Sequence, residues 1–584
     1  MAKAEFSLQE MIEAAPQGRE WLDGLSKSLG QTGHKDVLEK LSAVTDDGLV
    51  IAPIYPLTHP HKQTVTLAAR ADKAWKTLTR IDHPSAIEAN AQLLHDLEQG
   101  ADGALLVLAG SNSAHGFGID LPDLSSFKAL FGNIFVDATS IRFDGMSAAQ
   151  CDLWTEFCSA RGYDHNALNI SINGQGTKDL KGVSANLIAD ASKWHNKGAT
   201  AAQELGLALA ETVSVIRELC AGGTDINPAS KRLSVTLSSD ADQFESMAKF
   251  RAMRLLWRKL LQTMNADETP LSLHATTSWR MMGRRDPWTN VLRTTMATFA
   301  AGLGGADSIS VLPHTQALGL PDVFSRRVAR NISLILQEES HLGKIVDPAS
   351  GAGVYDALTV SLAEAAWVNF QTIEAQGGFT AAIENGSVQQ MISASRQAYM
   401  KDIATRKTVS LGNSHFAQLD APEVSTLITR PLEPEDQDES FGDLRDGILF
   451  ERLADRAQNL SVLSQPAVLL LCLGNRKAWK ARSDFATDLF AASGLAVENQ
   501  EIGADAKVDK LDTERTPVIC LCGADADYDA NAEALVASLR EAGARHILLA
   551  GRSDLSGLDD MIFIGCDAHA VLDRVLLALE GSKS

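Results

Sequence analysis

Four short runs of this chain carry side chains that could do chemistry. His59-Pro60-His61-Lys62 sets two imidazoles close enough to clip a metal ion. No carboxylate stands beside them to complete a ligand set, so a proline-centred surface turn accounts for them more simply. Cys520 and Cys522 alternate in an apolar run and therefore face one side of a strand, but two thiols without further ligands are better explained as core packing. Arg476, Lys477, Lys480 and Arg482 form a basic cluster suited to a phosphate or an acidic partner surface. A solvated helix start accounts for it more economically. Gly302-Leu303-Gly304-Gly305 is rich in glycine, but it lacks the strand-loop-helix order of a dinucleotide-binding turn.

The whole chain limits what such groups can serve. Its 584 residues exceed what one hydrophobic core usually supports, and 45% hydrophobic content is ample for two or three domains. A net charge of −21 argues against a nucleic-acid or anionic-membrane partner, because phosphate binding needs a basic face. The seven scattered cysteines do not read as a disulfide framework. No apolar run suits a signal peptide or a membrane span, so a cytoplasmic protein is expected.

Between about residues 45 and 390, short apolar runs alternate with helical patterns. Strands are expected at 103–109, 133–138, 168–172, 233–238, 271–275 and 307–312. Leu205, Leu209, Val213 and Ile216 recur at helical spacing and mark one buried stripe. Alternation of this kind implies parallel strands with crossover helices, and a (β/α)8 TIM-type barrel fits the length. The run PLEPEDQDESFGDLRDG at 431–447 is dense in acids, as a solvated linker would be. Beyond it, continuous apolar runs at 467–473, 518–522, 546–550 and 561–565 alternate with helical segments, which predicts a small doubly wound α/β sheet of flavodoxin type.

The stretch 286–351, from DPWTNVLRTTMATFAAGLGGADSI through QALGLPDVFSRRVARNISLILQEES to VDPASG, closely resembles the barrel of the methylmalonyl-CoA mutase family. The likeness covers nearly the whole chain, weakly over 60–260 and strongly over 270–375. It implies an α/β chain in four parts: an N-terminal helical arm (1–45), an acyl-CoA-mutase-type barrel (46–395), a partly helical linker with an acidic segment (396–464) and a degenerate, cobalamin-binding-like flavodoxin-type domain (465–584). In the family, adenosylcobalamin lies between the barrel's C-terminal face and the small domain, and methylmalonyl-CoA and succinyl-CoA are interconverted by radicals. Gly302 to Gly305 match a barrel turn of the family. Arg293, Arg327 and Arg330, inside the strong match, fit either helix-surface ion pairs or a subunit interface.

Several positions depart from the family pattern. Its Asp-x-His-x-x-Gly loop, which supplies an axial imidazole to cobalt, reads Gly474-Asn475-Arg476-Lys477-Ala478-Trp479, with Arg476 at the aspartate, Ala478 at the histidine and Ala481 at the glycine. No histidine occurs between His415 and His546. The family's Ser-x-Leu segment reads Cys522-Gly523-Ala524, and its Gly-Gly pair reads Gly551-Arg552. In the barrel, Trp75 matches a family tryptophan, while Arg80 stands at the active-site tyrosine. Lys193 stands at the substrate-facing histidine in an ungapped match, and His195 follows two residues on. No arginine between Arg161 and Arg217 could meet the substrate carboxylate.

The resemblance therefore implies the small, non-catalytic subunit of a heterodimeric mutase. No catalytic, cofactor or metal residue is expected on this chain; adenosylcobalamin and acyl-CoA are expected on a large catalytic partner subunit. The alternatives are a cobalamin-dependent mutase with a site rebuilt around Arg80 and Lys193, or a regulatory subunit that binds acyl-CoA.

Overall fold

The computed structural model describes residues 12–13, 17–30, 33–55, 74–164, 167–173, 185–431, 441–460, 467–502 and 516–580. The chain divides into two compact units. The first comprises Met1–Arg280, Val291–Ser395 and Thr426–Arg430; the second comprises Met281–Asn290, Arg396–Ser425 and Pro431–Ser584.

In the first unit, eight parallel strands close into a barrel in chain order. They are β1 (Lys76–Ile81), β2 (Gly103–Val107), β3 (Ser140–Asp144), β4 (Ile170–Ile172), β5 (Asn186–Asp190), β6 (Leu233–Ser239), β7 (Ser272–Thr277) and β8 (Ser308–Ser310). The barrel is of TIM type. One expected strand is corrected: residues 133–138 are not a strand. Asn133 takes a left-handed φ of 61°, Phe135 points to solvent and Val136–Ala138 is a 3-10 turn. The true strand, β3, starts two residues later and hides its signal because Arg142 and Asp144 interrupt the apolar pattern. β1 and β5 are likewise hidden by their mixed polar sequences.

The helices α1 (Ala201–Ala221), α2 (Gln243–Met264), α3 (Thr289–Gly304), α4 (Val323–Leu334) and α5 (Gly353–Ala375) belong to this region. Thr200 caps α1 in a reciprocal box with Gln203, which satisfies otherwise orphaned N–H groups. Gly206 on α1 faces α5 so closely that a Cβ there would come within 2.8 Å of the Asn369 Cβ, so the helix crossing requires glycine. Gly302 and Gly304 lie within α3, and the expected turn is confined to Gly305, which follows the helix at φ 101°. A Cβ on Gly302 would meet the Trp75 ring at 2.6 Å. Beneath α1 and α2, the Lys249 ammonium meets the Glu204 carboxylate at 2.6 Å, and the same carboxylate accepts the Ser238 N–H at 2.7 Å.

The second unit holds five parallel strands, β9 (Val468–Leu473), β10 (Val497–Ile502), β11 (Val518–Cys522), β12 (His546–Ala550) and β13 (Asp560–Ile562), in the order β10-β9-β11-β12-β13. Its helices are α6 (Ile448–Gln458), α7 (Arg476–Ala492), α8 (Asp525–Glu541) and α9 (Ala568–Glu580). Strand alternation sends Leu470, Cys472, Cys520 and Cys522 to a core with α6, α7 and α9, and Leu471, Ile519 and Leu521 to a second core with α8. Both faces of the sheet are thereby covered, which explains its continuous apolar strands. Of the expected acidic linker, residues 432–440 lie outside the described residues. No helix among the described residues is long and apolar enough to cross a membrane.

Lys249→Met should leave the Glu204 carboxylate buried without its counter-charge and lower stability by about 3–5 kcal/mol. Denaturant unfolding checks this, and adding Glu204→Gln should recover part of the loss.

Candidate functional site

TIM-type barrels usually fill their interior with branched apolar side chains and place ligands at the C-terminal ends of the strands. This interior is lined instead by hydroxyls, among them Ser140, Ser234, Thr236, Ser238, Ser308 and Ser310, all buried. Arg142 reaches from β3 across to β6, donating to Ser234 Oγ at 2.8 Å and Thr236 Oγ1 at 2.9 Å. Burial draws its guanidinium down to about 10, still charged at neutral pH. His274 on β7 bonds Ser308 Oγ through Nδ1 at 2.8 Å. Burial, with Arg142 adding to it, holds this imidazole well below its ordinary value and therefore neutral.

At the C-terminal end, Arg80 does not project as a free cation. It donates to Asp82 at 2.7 Å and to the Ser113 carbonyl at 2.6 Å, while Arg326 on α4 meets the other Asp82 oxygen at 2.7 Å. Burial opposes ionisation of Asp82, but the two guanidiniums outweigh it and hold the carboxyl well below the usual range. Asn173 reaches Asp144 at 3.0 Å and Asp190 at 3.5 Å. Burial and the neighbouring Asp190 push the Asp144 carboxyl up. Over the same end, His115 stacks on Trp279 at 3.9 Å and the Arg430 guanidinium lies 4.9 Å from the Trp279 ring. Arg430 also donates to the carbonyls of His115 and Gln316, pinning the segment after β2 across the opening.

Lys193 turns to α1, where its ammonium meets Glu211 at 3.0 Å. The imidazole of His195 is the one set at the strand ends: Nε2 lies 2.8 Å from Ser278 Oγ, just beyond β7, and Nδ1 lies 3.7 Å from Glu204. Burial, then Arg280 and Lys249, keep it well below its ordinary value. The ungapped sequence match favours Lys193 for this place, and spacing alone does not reveal which side chain turns inward. Arg330, read from sequence as a helix-surface or interface residue, is buried and paired with Asp96 at 2.6 Å. Arg327 lies over the Phe324 ring at 5.2 Å. Trp75 is a packing residue whose indole donates to Ser333 Oγ at 2.8 Å.

In the five-stranded sheet, ligands would be expected beyond the carboxyl ends of β9 and β11, where the strand order reverses. There β9 ends at Leu473, Gly474 turns with φ 79° and α7 begins at once. Asn475 caps that helix by accepting from the N–H groups of Lys477 and Ala478. Arg476, Ala478 and Ala481 are all helical positions. Arg482 from α7 covers the strand ends, donating to the Gly523 carbonyl and to Asp525, each at 2.5 Å, with Tyr528 beneath it at 5.0 Å. The Tyr528 hydroxyl accepts the Gly523 N–H at 2.9 Å and donates to the Ala550 carbonyl at 2.8 Å. A Cβ on Gly551 would lie 3.3 Å from the Arg482 guanidinium carbon. Arg552 stacks on Phe563 at 4.3 Å. Cys520 and Cys522 are buried core thiols, and His59 and His61 lie outside the described residues. Among the described residues, no three His, Cys, Asp or Glu side chains gather to hold a metal ion.

A profile of the family described as Methylmalonyl-CoA mutase matches residues 182–452. A protein of Streptomyces virginiae named Methylmalonyl-CoA mutase small subunit is 33% identical, with 92% of each chain covered. The chain belongs to the methylmalonyl-CoA mutase family. A second small subunit of this family, from Propionibacterium freudenreichii subsp. shermanii, is 28% identical over 95% of this chain and 92% of its own. A protein of Cereibacter sphaeroides named simply Methylmalonyl-CoA mutase is 35% identical over only 39% of this chain and 33% of its own. The family implies cobalamin, which an imidazole on a loop after β9 would ligate. The residues here do not suit that role. The loop is a short turn into a capped helix, and Arg482 and Tyr528 occupy the space above the strand ends.

Asp82→Asn should leave Arg80 and Arg326 without their shared carboxylate and cost about 3–5 kcal/mol. Because the Asp82 carboxyl is held down in the fold, the difference between wild type and variant should be full above about pH 5 and shrink as pH falls through that lowered value. Denaturant midpoints measured across that range check the sign.

Proposed function

We propose that this chain is the small subunit of a heterodimeric methylmalonyl-CoA mutase, supporting the assembly and stability of a large catalytic subunit that binds adenosylcobalamin and the acyl-CoA. The observation that carries the reading is the start of α7 at Arg476, which leaves no loop at the position of the cobalt-ligating histidine. The Arg142 bridge across the lumen and the use of Arg80 within an internal ion network support it from the barrel side. A site rebuilt around Arg80 and Lys193 loses support, because each of those charges already has a carboxylate partner.

The parts read as an N-terminal arm, the barrel, a linker and a small domain of flavodoxin type; the strand order β10-β9-β11-β12-β13 and helices on both faces favour that last assignment. The reading is of a cytoplasmic heterodimer. Interfaces of this obligate kind bury on the order of 2,000 Å² or more, enough for the catalytic partner to depend on this chain for its stability.

The test is to co-express this chain with its cognate large subunit and assay each alone and together. No turnover is expected from this chain alone and activity only from the pair, and appreciable activity from this chain by itself sinks the proposal. Incubation with cobalamin and gel filtration should leave this chain without corrin absorbance. Ala478→His alone should not confer retention, because the new imidazole would sit on a helix beside Arg482 rather than on a loop.

A further inference from the structure

Between β1 and α4 lies a cavity of about 10 Å³ lined by Thr79, Arg80, Asp96, Arg326 and Arg330 among others. That is room for about one water-sized particle. Two donors on its wall have no hydrogen-bond partner: the Thr79 hydroxyl and the Arg330 Nε–H, on residues only 8% and 4% exposed. Arg330 spends its NH1 on Asp96 at 2.6 Å, so Nε is its remaining unsatisfied donor here. Gln92, also on the wall, donates its amide N–H groups to the Arg80 carbonyl at 2.9 Å and to Asp96 at 3.4 Å.

The charges do not balance locally. Three buried guanidiniums, Arg80, Arg326 and Arg330, stand against two carboxylates, Asp82 and Asp96. Asp144 also lies within the field of Arg80, with burial and Asp190 pushing its carboxyl up and Ser113 and Arg80 drawing it down. Leaving a buried positive charge uncompensated is costly, and an unsatisfied buried donor adds its own desolvation penalty. A water molecule would satisfy the donors and leave the charge. We propose that this cavity is a binding site for one small monovalent inorganic anion, which accepts from Thr79 and Arg330 and neutralises the cationic excess where β1, β8 and α4 meet. The inference is independent of the assignment as a mutase subunit.

The full chain crystallised from bromide in place of chloride, with data collected at the bromine edge, tests it directly. An anomalous peak within hydrogen-bond reach of Thr79 Oγ1 and Arg330 Nε is expected. Electron density for water without anomalous signal overturns the proposal. In solution, the melting temperature at constant ionic strength should rise by a few degrees when gluconate is exchanged for chloride, as binding to the folded state requires. Thr79→Val should abolish the rise. Equal melting of the wild type in both salts also overturns the proposal, and the bromide experiment on the wild type decides it if the variant does not fold.

Discussion

The seam where β8 meets β1 is the constraint on which the barrel depends. Those strands share only two register pairs, Ser308 with Lys76 and Ile309 with Thr77, as β4 and β5 also do. Side chains complete the closure. Ser310 Oγ donates to the Leu78 carbonyl at 2.8 Å, Gln337 to the Trp75 carbonyl at 2.8 Å, and Trp75 to Ser333. The ion pairs of Arg326 with Asp82 and of Arg330 with Asp96 fasten α4 over the same seam. Because these groups are buried, each has to be paired, and that pairing governs which residues the opening of the barrel can spare for anything else.

The two architectures of this chain each have a customary place for a ligand, and in each the chain's own arginines fill it. In the barrel, Arg142 spans the interior, Arg80 is held by Asp82 and Arg430 stacks over Trp279. In the five-stranded sheet, Arg482 lies over the strand ends on Tyr528. A guanidinium satisfied by carbonyls, hydroxyls and one carboxylate can fill a polar cavity without an apolar plug, at the expense of the donors a ligand would have needed. The hydroxyl-lined interior keeps the polarity expected of a passage while its centre is bridged.

Composition and periodicity reveal the alternation of strands and helices, the parallel sheets and most apolar strands. They fail where polar residues are buried. β3 carries Arg142 and Asp144 into the lumen and so reads as a loop, while the apolar run at 133–138 reads as a strand although Phe135 faces solvent. The edge strand β10, VENQEI, is mostly exposed and lacks the signature of its buried neighbours. At the candidate sites, the missing histidine at 478 is visible in the letters alone. The early start of α7, the choice between Lys193 and His195, and the burial of Arg330 are not, because each depends on where a side chain turns once distant strands meet.

The return of the chain through Thr426–Arg430 bears on biosynthesis. Strand Ile428–Thr429 pairs with Gly319–Leu320, and Arg430 then locks the segment after β2. A nascent polypeptide leaving the ribosome can therefore assemble all eight strands well before it can fasten their open end. A fragment cut after Ser395, where the second segment of this unit ends, would keep every barrel strand yet lack that fastening. The gene for this half therefore cannot be shortened to that stretch without leaving the mouth of the barrel unlatched.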